Sequence, residues 1–163
     1  MNDTTKKQIL KLIHQEVIPA IGCTEPIAVA LAAAKAAELL GKKPEKIDVY
    51  LSANILKNAM GVGIPGTGMV GLPIAIALGV LIGKSSYELE VLRDVTPEAL
   101  EAGKQMIHDQ IIHIALKENV DKLYIEVVCQ AGESKSVAII AHEHTRFVYC
   151  AKDDQVLLDE RKS

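Results

Sequence analysis

Two periods divide the apolar positions of this chain. From Ile27 to Leu40 nearly every residue is small and apolar, with only Lys35 and Glu38 charged. A helix apolar on almost every side is a buried one. Pro26 suits its first turn, where a missing N–H costs nothing, and Gly41 stops it. Ahead of it, Ile9, Leu12, Ile13 and Val17 recur at helical spacing behind Asp3 or Thr4 as cap, predicting a first helix that ends before Pro19. Past Pro44, Ile47, Val49 and Leu51 alternate with Asp48, Tyr50 and Ser52, the pattern of a half-buried strand. A short helix over Ala53–Met60, an apolar helix over Leu72–Ile82 and a short extended piece around Leu89 and Val91 follow. Thr96 as cap, Pro97 in first position and Glu98 near the positive end of the dipole then predict a helix to about His108.

Beyond that helix the period of two takes over. Strands are predicted near Ile111–Lys117, Lys122–Gln130, Lys135–Ala141 and Arg146–Ala151, with turns at Ala131–Ser134 and His142–Thr145. The expectation is an α+β fold: Ala-rich helices packed on a mostly antiparallel sheet that ends in a β-meander. Residues 1–151 read as one domain. Residues 152–163, rich in Asp, Glu and Lys, read as a charged tail or linker.

Composition narrows the classes. At 163 residues the chain can bury roughly 68–70% of its extended surface, so it needs no staples. Aromatics make up 3%, with no Trp and one Phe, so the core must be aliphatic. The 18 basic residues against 21 acidic ones, with no basic run, argue against nucleic acid. Three widely spaced cysteines, Cys23, Cys129 and Cys150, make no disulfide framework. No signal-peptide pattern opens the chain, and its longest apolar run, Met69–Gly83, holds Pro73 and is too short for a bilayer. A soluble, cytoplasmic chain without a membrane partner is expected.

Candidate chemistry begins at Gly22-Cys23-Thr24-Glu25-Pro26. A thiol at the start of a buried helix faces unpaired N–H groups and the positive dipole end, which favours the thiolate that a nucleophile or metal ligand needs. The alternative is a small residue in a tight turn. Asn54, Lys57 and Asn58 share one face of the short helix, where two amides and an ammonium could hold a carboxylate; a solvated helical turn reads the same way.

The stretch Gly61–Gly71 spends stability on backbone freedom. Its G-x-G-x-x-G over Gly66–Gly71 resembles a dinucleotide fingerprint, but Pro65 stands where a strand should run into the first glycine. A loop holding a small anion on backbone N–H groups is the better reading. His142-Glu143-His144 would put two imidazoles on one face if it were a strand, yet it reads as a hairpin turn. Cys129 falls in phase with Leu123, Ile125 and Val127, and Cys150 sits on a late strand, so both read as core thiols.

Together these residues resemble a family. Glu16 to Pro26, including Ile21-Gly22-Cys23-Thr24-Glu25-Pro26, is similar to the N-terminal signature of the L-cysteine desulfidases, iron–sulfur lyases related to bacterial L-serine dehydratases. Asn54-Ile55-Leu56-Lys57-Asn58, Ile64-Pro65-Gly66-Thr67-Gly68 and His144-Thr145 resemble its later motifs in order. The resemblance covers nearly the whole chain, but family members are roughly two and a half times as long. It therefore implies the N-terminal part of such a lyase, lacking a C-terminal lobe or partner subunit that carries the other cluster cysteines.

The implied reaction takes L-cysteine, or serine, to pyruvate, ammonia and sulfide or water. A 4Fe–4S cluster with one iron not held by cysteine acts there as Lewis acid. Carried over residue by residue, Cys23 becomes a cluster ligand. Thr24, Asn54, Asn58, Gly66, Thr67 and Gly68 become substrate-binding residues, and Glu25 and Lys57 the candidates for proton transfer, Lys57 on condition that burial disfavours its charged form. The resemblance further implies that the isolated chain holds no cluster, is inactive, and self-associates through the face the absent lobe would cover. The rival reading is a non-catalytic module that binds small carboxylates without a metal.

Overall fold

The computed structural model describes residues 25–60, 63–64 and 69–161. The first predicted helix lies outside them. In chain order the elements are α1 (Glu25–Leu40), β1 (Lys46–Leu51), α2 (Ala53–Met60), β2 (Gly63–Ile64), β3 (Met69–Val70) and α3 (Gly71–Ile82). A 3-10 segment (Ser85–Glu90) leads to α4 (Pro97–His108), then β4 (Ile112–Leu116), β5 (Tyr124–Ala131), β6 (Ser134–Ala141), β7 (Phe147–Lys152) and β8 (Gln155–Asp159). The strands β4-β1-β5-β6-β7-β8 form one sheet, antiparallel throughout except for the β1–β4 pair. That pair is parallel because the chain crosses over through three helices between its strands. The fold is α+β, with helices on a mostly antiparallel sheet and a late meander.

The helix α1 is the centre of the packing. Pro26 through Ala34, Ala36 and Leu40 are all buried, as the apolar run demanded. One side of α1 lies on β5 and β6 and the other on α3. Its alanines set the spacing. A Cβ added at Gly79 of α3 would strike the carbonyl oxygen of Ala30, with the Ala30 Cα at 3.1 Å. A Cβ at Gly83 would meet the Ala34 Cβ at 2.8 Å. Both contacts advance by one helical turn on each helix, so α1 and α3 run in the same direction. On the sheet side, Ser136 Oγ donates to the Ala36 carbonyl at 2.6 Å, a buried bond that pins β6 to α1. Gly41, at φ 75°, takes the left-handed conformation that ends α1.

Elsewhere local signals are read out as written. Thr96 Oγ1 accepts from Ala99 N at 3.0 Å, with Pro97 in the first turn of α4. Ser52, buried at the end of β1, accepts from Ile55 N at 3.4 Å and so caps α2.

Two stretches differ from expectation. Leu89 and Val91 lie in the 3-10 segment and the turn after it, not in an extended piece. Val91, Leu92 and Val95 are all buried, and two adjacent buried residues do not fit a strand with one solvated face. Residues 155–159, read as part of a charged tail, form the edge strand β8. Val156, Leu157 and Leu158 supply its strand character, which a count of charges hides. Asp153, at φ 51°, makes the tight turn into it.

The close approach of α1 and α3 yields a test. Gly79→Ala should lower stability by about 1–3 kcal/mol, because a backbone carbonyl, not a flexible side chain, stands in the way. Urea unfolding reads this as a lower midpoint at unchanged slope. An unshifted midpoint would mean that the helices are not packed this tightly.

Candidate functional site

Registers decide which residues share an end of the sheet. Leu51 closes β1 opposite Ile125, which faces Ile140, while Tyr124 faces Ala141. Ser52 reinforces this corner: its N–H donates to the Tyr124 carbonyl at 3.1 Å and its hydroxyl to the Lys122 carbonyl at 2.6 Å. The start of α2 and the β6–β7 hairpin therefore lie at one end of the sheet. Glu25, the first residue of α1, reaches the same end, with Oε1 3.5 Å from His144 Nε2 in that hairpin. Because α3 runs alongside α1, its first residue, Gly71, lies towards this end as well.

Four of the predicted motif regions thus reach one end: the start of α1, the start of α2, the flank of the glycine stretch and the hairpin histidine. Cys23 and Thr24 immediately precede Glu25, and Gly66, Thr67 and Gly68 lie between β2 and β3. All five are outside the described residues. The pairing of Gly63 with Val70 and Ile64 with Met69 is antiparallel, so among the described residues no parallel strand leads into the glycine stretch as a dinucleotide fold requires.

The Glu25–His144 pair is the site's defined chemistry. The Glu25 side chain is 13% exposed and that of His144 34%. His144 Nε2 is shielded from water and has no hydrogen-bond partner among the described residues. At this separation the carboxylate and the imidazole are within ion-pair range without forming a hydrogen bond, and an acid at the first position of a helix is favoured by the dipole. Nothing in the spacing of residues 25 and 144 announces this contact. His142 takes a different partner, Asp121 Oδ2 at 3.2 Å from its Nδ1, so the two histidines of the turn do not converge on one ligand.

Asn54, Lys57 and Asn58 are exposed on one side of α2, as the helical spacing predicted. The exposure of Lys57 removes the burial on which its role as base was argued. Cys129 and Cys150 lie on β5 and β7, both buried. Cys129 sits in register with Ile47 and Ser136, towards the end away from Glu25. Burial pushes its thiol up to about 12, with Asp48 adding to the rise and the contact with Ser136 opposing it. Burial also raises Cys150, against the nearby Lys35. Among the described residues no group of three or more His, Cys, Asp or Glu could hold a metal ion, and these two thiols do not fit a cluster site. No helix among the described residues is long and apolar enough to cross a membrane.

Over 161 residues the chain is 70% identical to a UPF0597 protein of Parabacteroides distasonis, a match covering 99% of this chain and 37% of that protein. It is 51% identical over 162 residues to a UPF0597 protein of Porphyromonas gingivalis, with 99% and 37% covered. A UPF0597 protein of Chromobacterium violaceum is 46% identical over 151 residues, with 93% and 35% covered. The chain thus spans a little over a third of the length of these curated relatives. No family model matches it. No solved structure matches it.

The raised thiols set a pH dependence. Between the ordinary value of 9.0 and about 12, the unfolded chain releases the Cys129 proton while the folded chain keeps it. Stability is therefore full below pH 9 and falls as pH rises through that window, by at most about 1.4 kcal/mol per pH unit for one thiol. Urea midpoints from pH 8 to 10.5 should show the decline, and Cys129→Ala should make it shallower. A midpoint that rises with pH would overturn the assignment. In the native protein at neutral pH, brief iodoacetamide treatment and peptide mapping should label Cys23 first and Cys129 last.

Proposed function

We propose that this chain is the substrate-holding part of an iron–sulfur amino-acid lyase of the L-cysteine desulfidase or L-serine dehydratase type. The observation that carries the reading is the Glu25–His144 contact, which joins the two motifs of the resemblance that lie farthest apart in the sequence. A lyase that removes an α-proton and protonates or releases a leaving group needs a proton-transfer pair beside its substrate. Glu25 and His144 supply one, and Glu25 directly follows Cys23 and Thr24 in sequence. The exposed Asn54-Lys57-Asn58 face and the backbone of Gly66-Thr67-Gly68 are the groups for the substrate carboxylate. In this reading Lys57 offers a cation to the carboxylate and is not the base.

The cluster would supply Lewis-acid chemistry at the leaving group. Of this chain's thiols only Cys23 is a candidate ligand, and the remaining ligands belong to a further lobe or subunit. That division agrees with relatives of almost three times this length. The reaction, the substrate and the cytoplasmic setting are parts of the same proposal. A carboxylate-binding module without chemistry would use the same amides and would make His144 dispensable.

Anaerobic reconstitution with iron and sulfide tests the reading on both lengths of chain. The full-length Parabacteroides distasonis relative should develop broad absorbance at about 400 nm and release pyruvate from L-cysteine or L-serine. The 163-residue chain should do neither. Replacing the histidine equivalent to His144 by Asn should lower kcat by about 10²–10⁴-fold with the cluster spectrum retained. A full-length relative with no cluster and no turnover would sink the lyase reading. Turnover unaffected by that substitution would return His144 to a structural role.

A further inference from the structure

At the opposite end of α1 lies a concavity. A cleft of about 390 Å³ opens between the C-terminal halves of α1 and α3. Its apolar lining includes Ala34, Ala37, Val80 and Leu81, and Lys42 and Lys43 stand on the loop beside it. The volume falls within the range of small-molecule sites, roughly 300–1,000 Å³. Apolar surface left in a concavity with cationic groups beside it suits an anion carrying a hydrocarbon body.

The charges select further. Lys42 and Lys43 form no ion pair with the described residues, so their charge is available to a ligand. Glu38, the acid of the cleft, is committed: its Oε2 accepts from Ser85 N at 2.7 Å and its Oε1 from Ser85 Oγ at 2.6 Å. Those bonds fill one acceptor site on each Glu38 oxygen without removing its charge, so the cleft sets two cations against one anion and favours a ligand of net negative charge over a zwitterionic amino acid. We propose that this cleft binds an aliphatic monocarboxylate lacking an α-amino group, its chain on the Ala37–Val80–Leu81 surface and its carboxylate at Lys42 and Lys43. The site is separate from the Glu25–His144 end and does not depend on the lyase reading.

Titration of the 15N-labelled chain with hexanoate tests it, with 1-hexanol and hexylamine as controls. Hexanoate should shift the amides of Ala34, Ala37 and Gly83 saturably, and both controls should bind at least about tenfold more weakly. Lys42→Gln with Lys43→Gln should weaken hexanoate by a similar factor. Ala37→Phe, which fills the cleft and keeps both lysines, should abolish binding while the rest of the spectrum is unchanged. If Ala37→Phe does not fold, the lysine variant decides alone. Hexanol binding as tightly as hexanoate, hexanoate insensitive to the lysine substitutions, or no saturable shift in these amides would each overturn the proposal.

Discussion

Everything in this molecule hangs on how closely α1 and α3 pass. With glycine at 79 and alanine at 30 and 34, the backbones approach to a distance no larger side chain permits. The alanines are the smallest residues that still favour a helix, and glycine costs roughly 0.5–1 kcal/mol of propensity wherever it replaces one. The chain accepts that cost at 79 in exchange for interhelical contact. The result is a helix buried over most of its length, with the sheet on one flank and α3 on the other. Ser136 fixes it along its length through one buried bond. A helix held in this way has little room to slide, so the positions of its two ends are properties of the fold.

Those ends carry different chemistry. The N-terminal end presents Glu25 to His144 next to the positive pole of the helix, and it gathers the starts of α2 and α3. The C-terminal end presents apolar surface and lysines. The polarity of a helix makes this division natural: acids and anions gain at its start, and cations gain at its finish. In α1 the first turn holds Glu25 and the last holds no cation, but Lys42 and Lys43 follow directly after Gly41 and stand beside the same pole. Opposite dipole ends thus fall at two separate regions of one element, the Glu25–His144 contact and the cleft beside Lys42 and Lys43.

Much of this architecture was legible in the sequence, and the parts that were not share a cause. α1, β1, α4 and the strands β4 to β7 were written in local patterns: an unbroken apolar run, strict alternation, a Thr-Pro-Glu start. Those signals act within a few residues and survive without knowledge of neighbours. The 3-10 segment was missed because the burial of Val91, Leu92 and Val95 comes from contacts across the fold, not from a period. β8 was missed because charged residues flank a three-residue apolar run, and an edge strand needs only one paired side. The Ser52 cap was hidden in the alternation of β1, since the same serine both ends a strand and starts a helix.

The site divides along the same line. Placing Glu25 at a helix start needed only Pro26 and the apolar run behind it. Bringing His144 to it needed the register of the whole meander. Tyr124 must face Ala141, and Ile140 must face Phe147, for the hairpin to come over the start of α1. A one-residue slip in β6 would turn Ile139 and Ile140 to the wrong faces, so core burial holds the hairpin in place. The register break between Ile139 and Ile140 falls next to that hairpin, where bulges commonly re-aim a side chain. The carboxylate–imidazole contact is therefore set by burial on the two sides of a strand and needs no strong bond of its own. At 3.5 Å, with neither group fully buried, it contributes little to stability. A contact that the fold enforces and stability does not need is one that chemistry can use.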